Sequence, residues 1–249
     1  MGRIDQETFV CIDCEMTGLD PQEDRIIEVG LMKFRLNEIL DQFESLVNPE
    51  RTIPEASIEY HHITDDMVVG KPTMTQIIPH LIDKIGNYIV VGHGVGFDIE
   101  LIALAADRAG IPHRLRSLRI LDTLRMARLY GECPVNSLEQ LRKHFNIPFE
   151  GAHRALNDVI VNKEVFRFLA MKYKTTEQLF EALSRPILMK VMPLGKYKGR
   201  PIKEIPIDYL KYVAHKEFDQ DLLYSIRSEI KRRKKGPVFG EAGNPFSTL

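Results

Sequence analysis

The chain has 249 residues, 44% apolar and 28% charged, with 34 Lys and Arg against 35 Asp and Glu, which is room for one large core or a core with a small appendage in an ordinary globular composition. No apolar run approaches the roughly 18 residues of a membrane span, and the acid-bearing N-terminus lacks the apolar stretch of a signal peptide. Three cysteines, Cys11, Cys14 and Cys133, exclude a disulfide framework and make the reducing cytoplasm the expected location.

In chain order, Phe9 to Ile12 reads as an apolar strand that breaks at the turn composition Thr17-Gly18-Leu19-Asp20-Pro21. Arg25 to Phe34 and Leu40 to Val47 continue an antiparallel meander. After Pro54 the pattern changes. Apolar residues at Met74, Ile77, Ile78, Leu81, Ile82 and Ile85 have helical spacing over residues 73–85, and Tyr88 to Val91 is the continuous apolar run of a buried parallel strand. A helix is expected from Asp98 to Ala109, a strand from Leu118 to Leu121, and helices from Asp122 to Tyr130, Ser137 to Phe145 and Ala155 to Tyr173. A meander followed by strand–helix alternation implies an α/β mixed sheet with helices on its faces. Around residues 184–201 the pattern breaks up, then two helices follow, Asp208 to Lys216 and Asp219 to Lys235; residues 236–249 read as a loose tail.

Three places can do chemistry. Asp13 and Glu15 end the first strand, and residues i and i+2 of a strand share a face, so two carboxylates point one way and need positive charge between them, such as a hard oxygen-binding cation. Asp98 follows the glycine-bearing segment Gly92-His93-Gly94-Val95-Gly96-Phe97, where capping the next helix is the competing role. His153 and Asp158 can address one site if His153 lies in the Gly151 loop and Asp158 on the first turns of the helix after it. Cys11 and Cys14, three apart on a strand, point to opposite faces and lack a second ligand pair, so packing outweighs a zinc or redox role.

Taken together and in order, these motifs resemble the DEDDh 3′–5′ exonucleases, the family of the epsilon subunit of bacterial DNA polymerase III and of RNase T. The first motif is Ile12-Asp13-Cys14-Glu15-Met16-Thr17-Gly18-Leu19, the second ends in Phe97-Asp98, and the third is His153-Arg154-Ala155-Leu156-Asn157-Asp158. His62-Ile63-Thr64, Lys71-Pro72-Thr73 and Asp122-Thr123-Leu124 also look like family positions. The resemblance covers about residues 7–172. Two features depart from the epsilon pattern: His93-Gly94 stands where His-Asn is usual, and Glu15-Met16-Thr17-Gly18-Leu19-Asp20 is similar to oligoribonuclease.

The resemblance implies a ribonuclease H-like fold with a mixed five-stranded sheet. It also implies a metal-dependent 3′–5′ exonuclease that removes nucleoside monophosphates from 3′ ends, with DNA as the expected substrate. It brings two divalent cations, Mg²⁺ with Mn²⁺ as substitute, held by Asp13, Glu15, Asp98 and Asp158, with His153 as general base and Thr17, Leu19 and Phe97 as contacts to the terminal nucleotide. An RNA-directed, oligoribonuclease-like enzyme and a non-catalytic nucleic-acid-binding scaffold are the alternatives. Expected partners are nucleic acid with a free 3′ end and no membrane; polymerase or sliding-clamp association and a homo-oligomer stay open.

The charge is unevenly spread. Residues 1–185 carry 21 basic and 28 acidic residues, a balance of −7, whereas residues 186–235 carry 13 and 6, a balance of +7. The expected organisation is an exonuclease domain over residues 1–185, a small, mainly helical basic module over 186–235 and a tail over 236–249. The segment Leu194-Gly195-Lys196-Tyr197-Lys198-Gly199-Arg200-Pro201 resembles a small uncharacterised module found behind some bacterial exonucleases. Its basic residues interleave with Tyr197, Tyr209 and Tyr212, which suits backbone contacts with base stacking; docking of a partner is the competing view.

Overall fold

A computed structural model describes residues 2–133, 135–148 and 154–234. The expected tail over 236–249 lies outside them. The chain divides into two compact units, residues 1–183 and 184–249.

The first unit is built on a five-stranded sheet. Strands β1 (Phe9–Met16), β2 (Ile26–Arg35) and β3 (Glu38–Leu46) form the antiparallel meander. Helices α1 (Glu55–His61), α2 (Asp65–Val68) and α3 (Met74–Ile85) lead to β4 (Ile89–Gly92), which returns parallel to β1. Helix α4 (Gly96–Arg108) leads to β5 (Ile120–Asp122), parallel to β4, and gives the order β3-β2-β1-β4-β5. Helices α5 (Thr123–Tyr130), α6 (Leu138–His144), α7 (Ala155–Ala170) and α8 (Thr176–Leu183) complete the unit. This is the ribonuclease H-like mixed sheet flanked by helices.

Strand alternation sets the two faces of β1. Val10, Ile12 and Cys14 pack in one cluster with Ile78 and Leu81 of α3 and Ile99 and Ile102 of α4. Phe9, Cys11, Asp13 and Glu15 take the other face, that of α7. There Phe9 meets Phe166 edge-on at 4.9 Å, Phe34 meets Phe166 at 5.9 Å, and the Cys11 thiol donates to Val159 O at 3.8 Å. Each ring pair adds about 0.5–1.5 kcal/mol beyond its buried area. Cys11 and Cys14 are thus packing residues on opposite faces.

The long periodic helices form within a few residues of their expected bounds, α3 opening where Thr73 N donates to Gln76 Oε1 at 2.7 Å. The differences have local causes. β1 runs four residues past Ile12 because β2 pairs with it as far as Met16, acids included. α1 and α2 were not expected: they have seven and four residues, too few turns for a period to show. His62, with φ +59°, ends α1. α8, of eight residues, carries Gln178-Leu179-Phe180, a segment whose composition fits an amphipathic helix.

The second unit has its own small core of Met192, Ile202, Ile205, Leu210, Val213, Leu222 and Ile226. Helices α9 (Ile207–Val213) and α10 (Gln220–Lys234) follow two single 3₁₀ turns, Gly195–Tyr197 and Ile202–Glu204. Buried Asp221 accepts from Ile187 N at 3.0 Å, and the Ser225 hydroxyl accepts from Met189 N at 2.7 Å, so the chain entering this unit is tied to α10.

One glycine decides how α7 meets the sheet. A Cβ on Gly30 of β2 would lie 2.5 Å from Leu156 N and 2.6 Å from Ala155 O, and backbone cannot swing aside as a side chain can. Gly30→Ala should therefore destabilise the chain by about 1–3 kcal/mol. A fall in the urea midpoint at unchanged slope measures this.

Candidate active site

Asp13 lies opposite Gly30 and Glu15 opposite Glu28 in the β1–β2 ladder, so both acids of the first motif look out under the start of α7. Asp158 sits in the first turn of that helix. Asp13, Glu15 and Asp158 each bring a carboxylate oxygen within 4.8 Å of the others'. Asp98 comes from the other side, in the first turn of α4. Pairing of β1 with β4 covers only Phe9 to Cys11; beyond it, Cys14 N donates to Asp98 Oδ1 at 3.0 Å, and this bond fixes the buried carboxylate beside β1. The loop before α4 is held from β5, where Asp122 Oδ1 accepts from Gly94 N at 2.9 Å while capping α5 through Leu124 N at 2.8 Å. His93 Nδ1 lies 3.1 Å from the Thr123 hydroxyl, which donates to Asn162 Oδ1 at 2.7 Å.

These carboxyls are strongly perturbed. Burial, then the charges of Asp158 and Glu28, pushes Glu15 up to about 8. Burial pushes Asp98 up to about 7 against the lowering effect of its backbone hydrogen bonds. Burial and the charges of Asp98, Asp158, Glu15 and Glu28 hold Asp13 well above the usual carboxylate range. An all-carboxylate donor set of this kind fits hard divalent cations, which would supply the missing positive charge.

The N-terminus of α7 is fastened by residues outside the expected set. Glu28 is fully buried, and Arg154 Nε donates to its Oε1 at 2.9 Å and its Oε2 at 3.1 Å, with Nη2 to Oε1 at 2.6 Å. Ala155 N adds a bond to Glu28 Oε2 at 2.9 Å. Arg154, the N-cap residue, makes no side-chain cap of its own, so a carboxylate from β2 does the capping. Tyr60 is a second unexpected neighbour. Much of its ring is exposed, but desolvation on its inner side, then the carboxylates of Glu15, Asp158 and Asp13, pushes its phenol up. Ser57 Oγ donates to Thr17 O at 2.8 Å and ties α1 to the end of β1. The only sequence signal for Tyr60 was its place just before His62-Ile63-Thr64; Glu28 and Arg154 had none beyond their charge.

The expected substrate contacts differ in character. Leu19 is 83% exposed. Phe97 is half-buried and packs against the core. Thr17 is buried, its hydroxyl donating to Asp24 Oδ1 at 2.8 Å and accepting from Arg25 N at 3.0 Å, so its side-chain polar atom is committed to the turn. His153 lies outside the described residues.

A family model described as exonuclease, RNase T, matches residues 10–166. The chain belongs to this exonuclease family. Among curated relatives it is 32% identical over 261 aligned positions to a PolC-type DNA polymerase III of Oceanobacillus iheyensis, covering 98% of this chain and 18% of the relative. It is 28% identical over 225 positions to that of Clostridium perfringens, covering 89% and 15%. The chain thus spans less than a fifth of the length of these relatives. Among solved structures, Exonuclease X in complex with 5′-overhanging duplex DNA superposes with a TM-score of 0.57 at 24% identity, over 70% of this chain and 99% of that one. The zinc-bound E. coli ExoI–ssDNA complex gives 0.61 at 20%, over 71% and 42%. At these identities the likeness is one of fold. A second family model, named for quorum-sensing-regulated virulence factors (QSregVF_b), matches residues 177–226. Among the described residues no helix is long and apolar enough to cross a membrane.

The raised carboxyls make stability depend on pH with a definite sign. Between their ordinary range near 4 and the values of about 7 and 8, Asp98 and Glu15 keep protons in the folded chain that the unfolded chain has released. Folding stability without metal therefore falls as pH rises through that window. In EDTA the melting temperature should drop from pH 5 to pH 8, and millimolar Mn²⁺ should restore more of it at pH 8. Asp13→Asn, with one like charge fewer, should melt higher than wild type in EDTA at pH 8. Differential scanning fluorimetry reads all three, and a wild-type curve flat with pH would contradict the assignment.

Proposed function

We propose that this chain is a 3′–5′ exonuclease that releases nucleoside 5′-monophosphates from DNA 3′ ends, of the proofreading or repair type. The observation that carries the reading is the convergence of Asp13, Glu15 and Asp158, with Asp98 bonded to the same strand. All lie at the carboxyl ends of β1 and β4 or on the helix above them, where α/β sheets bind their ligands. Two divalent cations, Mg²⁺ or Mn²⁺, when bound would neutralise the phosphodiester and activate the attacking water.

In this reading Asp13, Glu15 and Asp158 would hold the cations together with Asp98, with Asp13 the residue shared between them. His153 takes the proton of the water as its oxygen attacks phosphorus. The bond from phosphorus to the 3′ oxygen breaks, leaving a shortened strand with a 3′ hydroxyl. A reference pKa near 6.5 suits His153 to that proton transfer. Leu19, exposed at the turn after β1, and Phe97, beside Asp98, are assigned to the terminal nucleotide together with backbone of Thr17. Tyr60 is added as a ring on the rim.

PolC-type relatives and the DNA held by both structural neighbours favour DNA. The oligoribonuclease-like stretch from Glu15 to Asp20 makes short RNA the substrate to test against it. Turnover of 3′-labelled single-stranded DNA, mismatched primer–template and short RNA, measured side by side, decides the class. DNA should be degraded fastest, with EDTA stopping the reaction and Asp13→Asn abolishing it. Activity surviving in excess EDTA would end the two-metal assignment, and preference for RNA would end the DNA assignment. The polymerase question is a separate binding measurement with a replicative polymerase subunit.

His153→Ala should lower kcat by about 10²–10⁴-fold while cation affinity stays near wild type, with part of the rate regained at high pH. If calorimetric cation binding weakens as far as it does in Asp158→Ala, His153 is a ligand and not a base.

A further inference from the structure

The positive surplus of the C-terminal unit falls into two groups. One is used within the fold. Arg233 donates to the carbonyls of Ile205 and Lys203, both at 2.8 Å, Arg232 and Arg233 pair with Glu229 at 2.7 and 2.6 Å, and Lys211 lies 3.5 Å from Asp208. The other group includes Lys196, Lys198, Arg200 and Lys216. All four are exposed, and among the described residues none has an acidic partner within 4.0 Å.

Three of these cations lie against rings, and Lys198 falls between two of them in the chain. Lys196 Nζ and Arg200 Cζ lie 5.6 and 5.7 Å from the Tyr197 ring centre. Tyr197 packs edge-on to Tyr209 at 4.7 Å, Tyr209 lies 6.4 Å from Tyr212, and Lys216 Nζ stands 4.9 Å over the Tyr212 ring. Tyr209 and Tyr212 share a face of α9, three residues apart. The loop that presents the first three cations turns through Gly195 and Gly199, with φ of +74° and +82°. A Cβ on Gly195 would lie 2.9 Å from the Tyr209 hydroxyl, so the loop is seated on the tyrosine row. Tyr212 is 60% exposed, leaving ring surface open in a row with Lys196, Lys198 and Arg200 at one end and Lys216 at the other.

Isolated surface lysines would attract any anion. A row in which unpaired cations alternate with a partly open tyrosine face matches one kind of polyanion best, a strand whose charges alternate with flat apolar rings. We propose that this tyrosine–cation row binds single-stranded nucleic acid without sequence preference, Lys196, Lys198, Arg200 and Lys216 contacting phosphates and Tyr212 stacking on a base. The binding is independent of the cleavage chemistry.

The test uses the full chain in EDTA, where turnover is silent, so its failure and the failure of the exonuclease assay are separate results. Fluorescence anisotropy with a long labelled oligothymidylate gives affinity as a function of salt. Lys196→Glu, Lys198→Glu and Arg200→Glu together should flatten log affinity against log salt by about 2, three contacts at about 0.7 each on a single strand. Tyr212→Ala should weaken binding about tenfold at unchanged slope. Should the triple variant melt early, Arg200→Gln alone should still flatten the slope by about 0.7. The same charge reversal at Lys71, Lys172 and Lys174, exposed on the other unit, is the control. Unchanged slope and affinity, an equal flattening by the control, or competition by polyglutamate as effective as by oligothymidylate would overturn the proposal, the last in favour of an acidic polypeptide partner.

Discussion

The pairing of buried Glu28 with half-buried Arg154 is the interaction on which the candidate site depends. It joins residues 126 positions apart and fastens the start of α7 to the middle of the sheet, and with it Asp158 over Asp13 and Glu15. Burying a carboxylate costs far more than a single bond returns, but Glu28 accepts from two guanidinium nitrogens and a backbone amide at once. Its place in the ladder opposite Glu15 matters as much. Without Arg154 it would be one more uncompensated anion against the acidic cluster. The arginine both anchors the helix and offsets part of the charge that Glu28 adds to the repulsion there. Lysine could carry the charge but not the fork.

That repulsion explains the rest of the architecture. Carboxylates that push one another's protonation upward do not assemble by themselves; the scaffold must force them together. Here it does so with strong local features: the three-phenylalanine contact of Phe9, Phe34 and Phe166, the close approach at Gly30, and the Asp122 bonds that fix the loop ahead of α4. Each supports one side of the acidic cluster from a different element. The stability held in the core offsets an arrangement that is unfavourable until a cation arrives, a pattern expected where a site is built for charge rather than for folding.

Much of this was legible in the sequence. Alternation along β1 placed Asp13 and Glu15 on one face, and helical periodicity found α3, α4 and α7 because each buries a stripe several turns long. What escaped was of three kinds. α1 and α2 are too short to show a period, and with α1 went Tyr60, which feels the charge of the carboxylates from a helix that Ser57 pins to the turn after β1. Glu28 looked like an ordinary strand residue, since nothing local shows that its partner follows more than a hundred residues later. The hydroxyl of Thr17, a residue that the resemblance places near the terminal nucleotide, is engaged by Asp24 and Arg25, a contact that becomes visible only when the turn is closed.

The bond from Cys14 N to Asp98 has a consequence of its own. Past Cys11 the parallel partner strand falls away, and a side-chain carboxylate takes the place that a carbonyl of β4 would fill. Asp98 is thus a rung of the sheet as well as a member of the acidic group. Truncation to alanine removes both at once, orphaning an amide in the core, whereas asparagine keeps an acceptor oxygen for the rung. Dead alanine variants at this position would confound loss of chemistry with loss of strand order, and only a comparison with the amide separates the two.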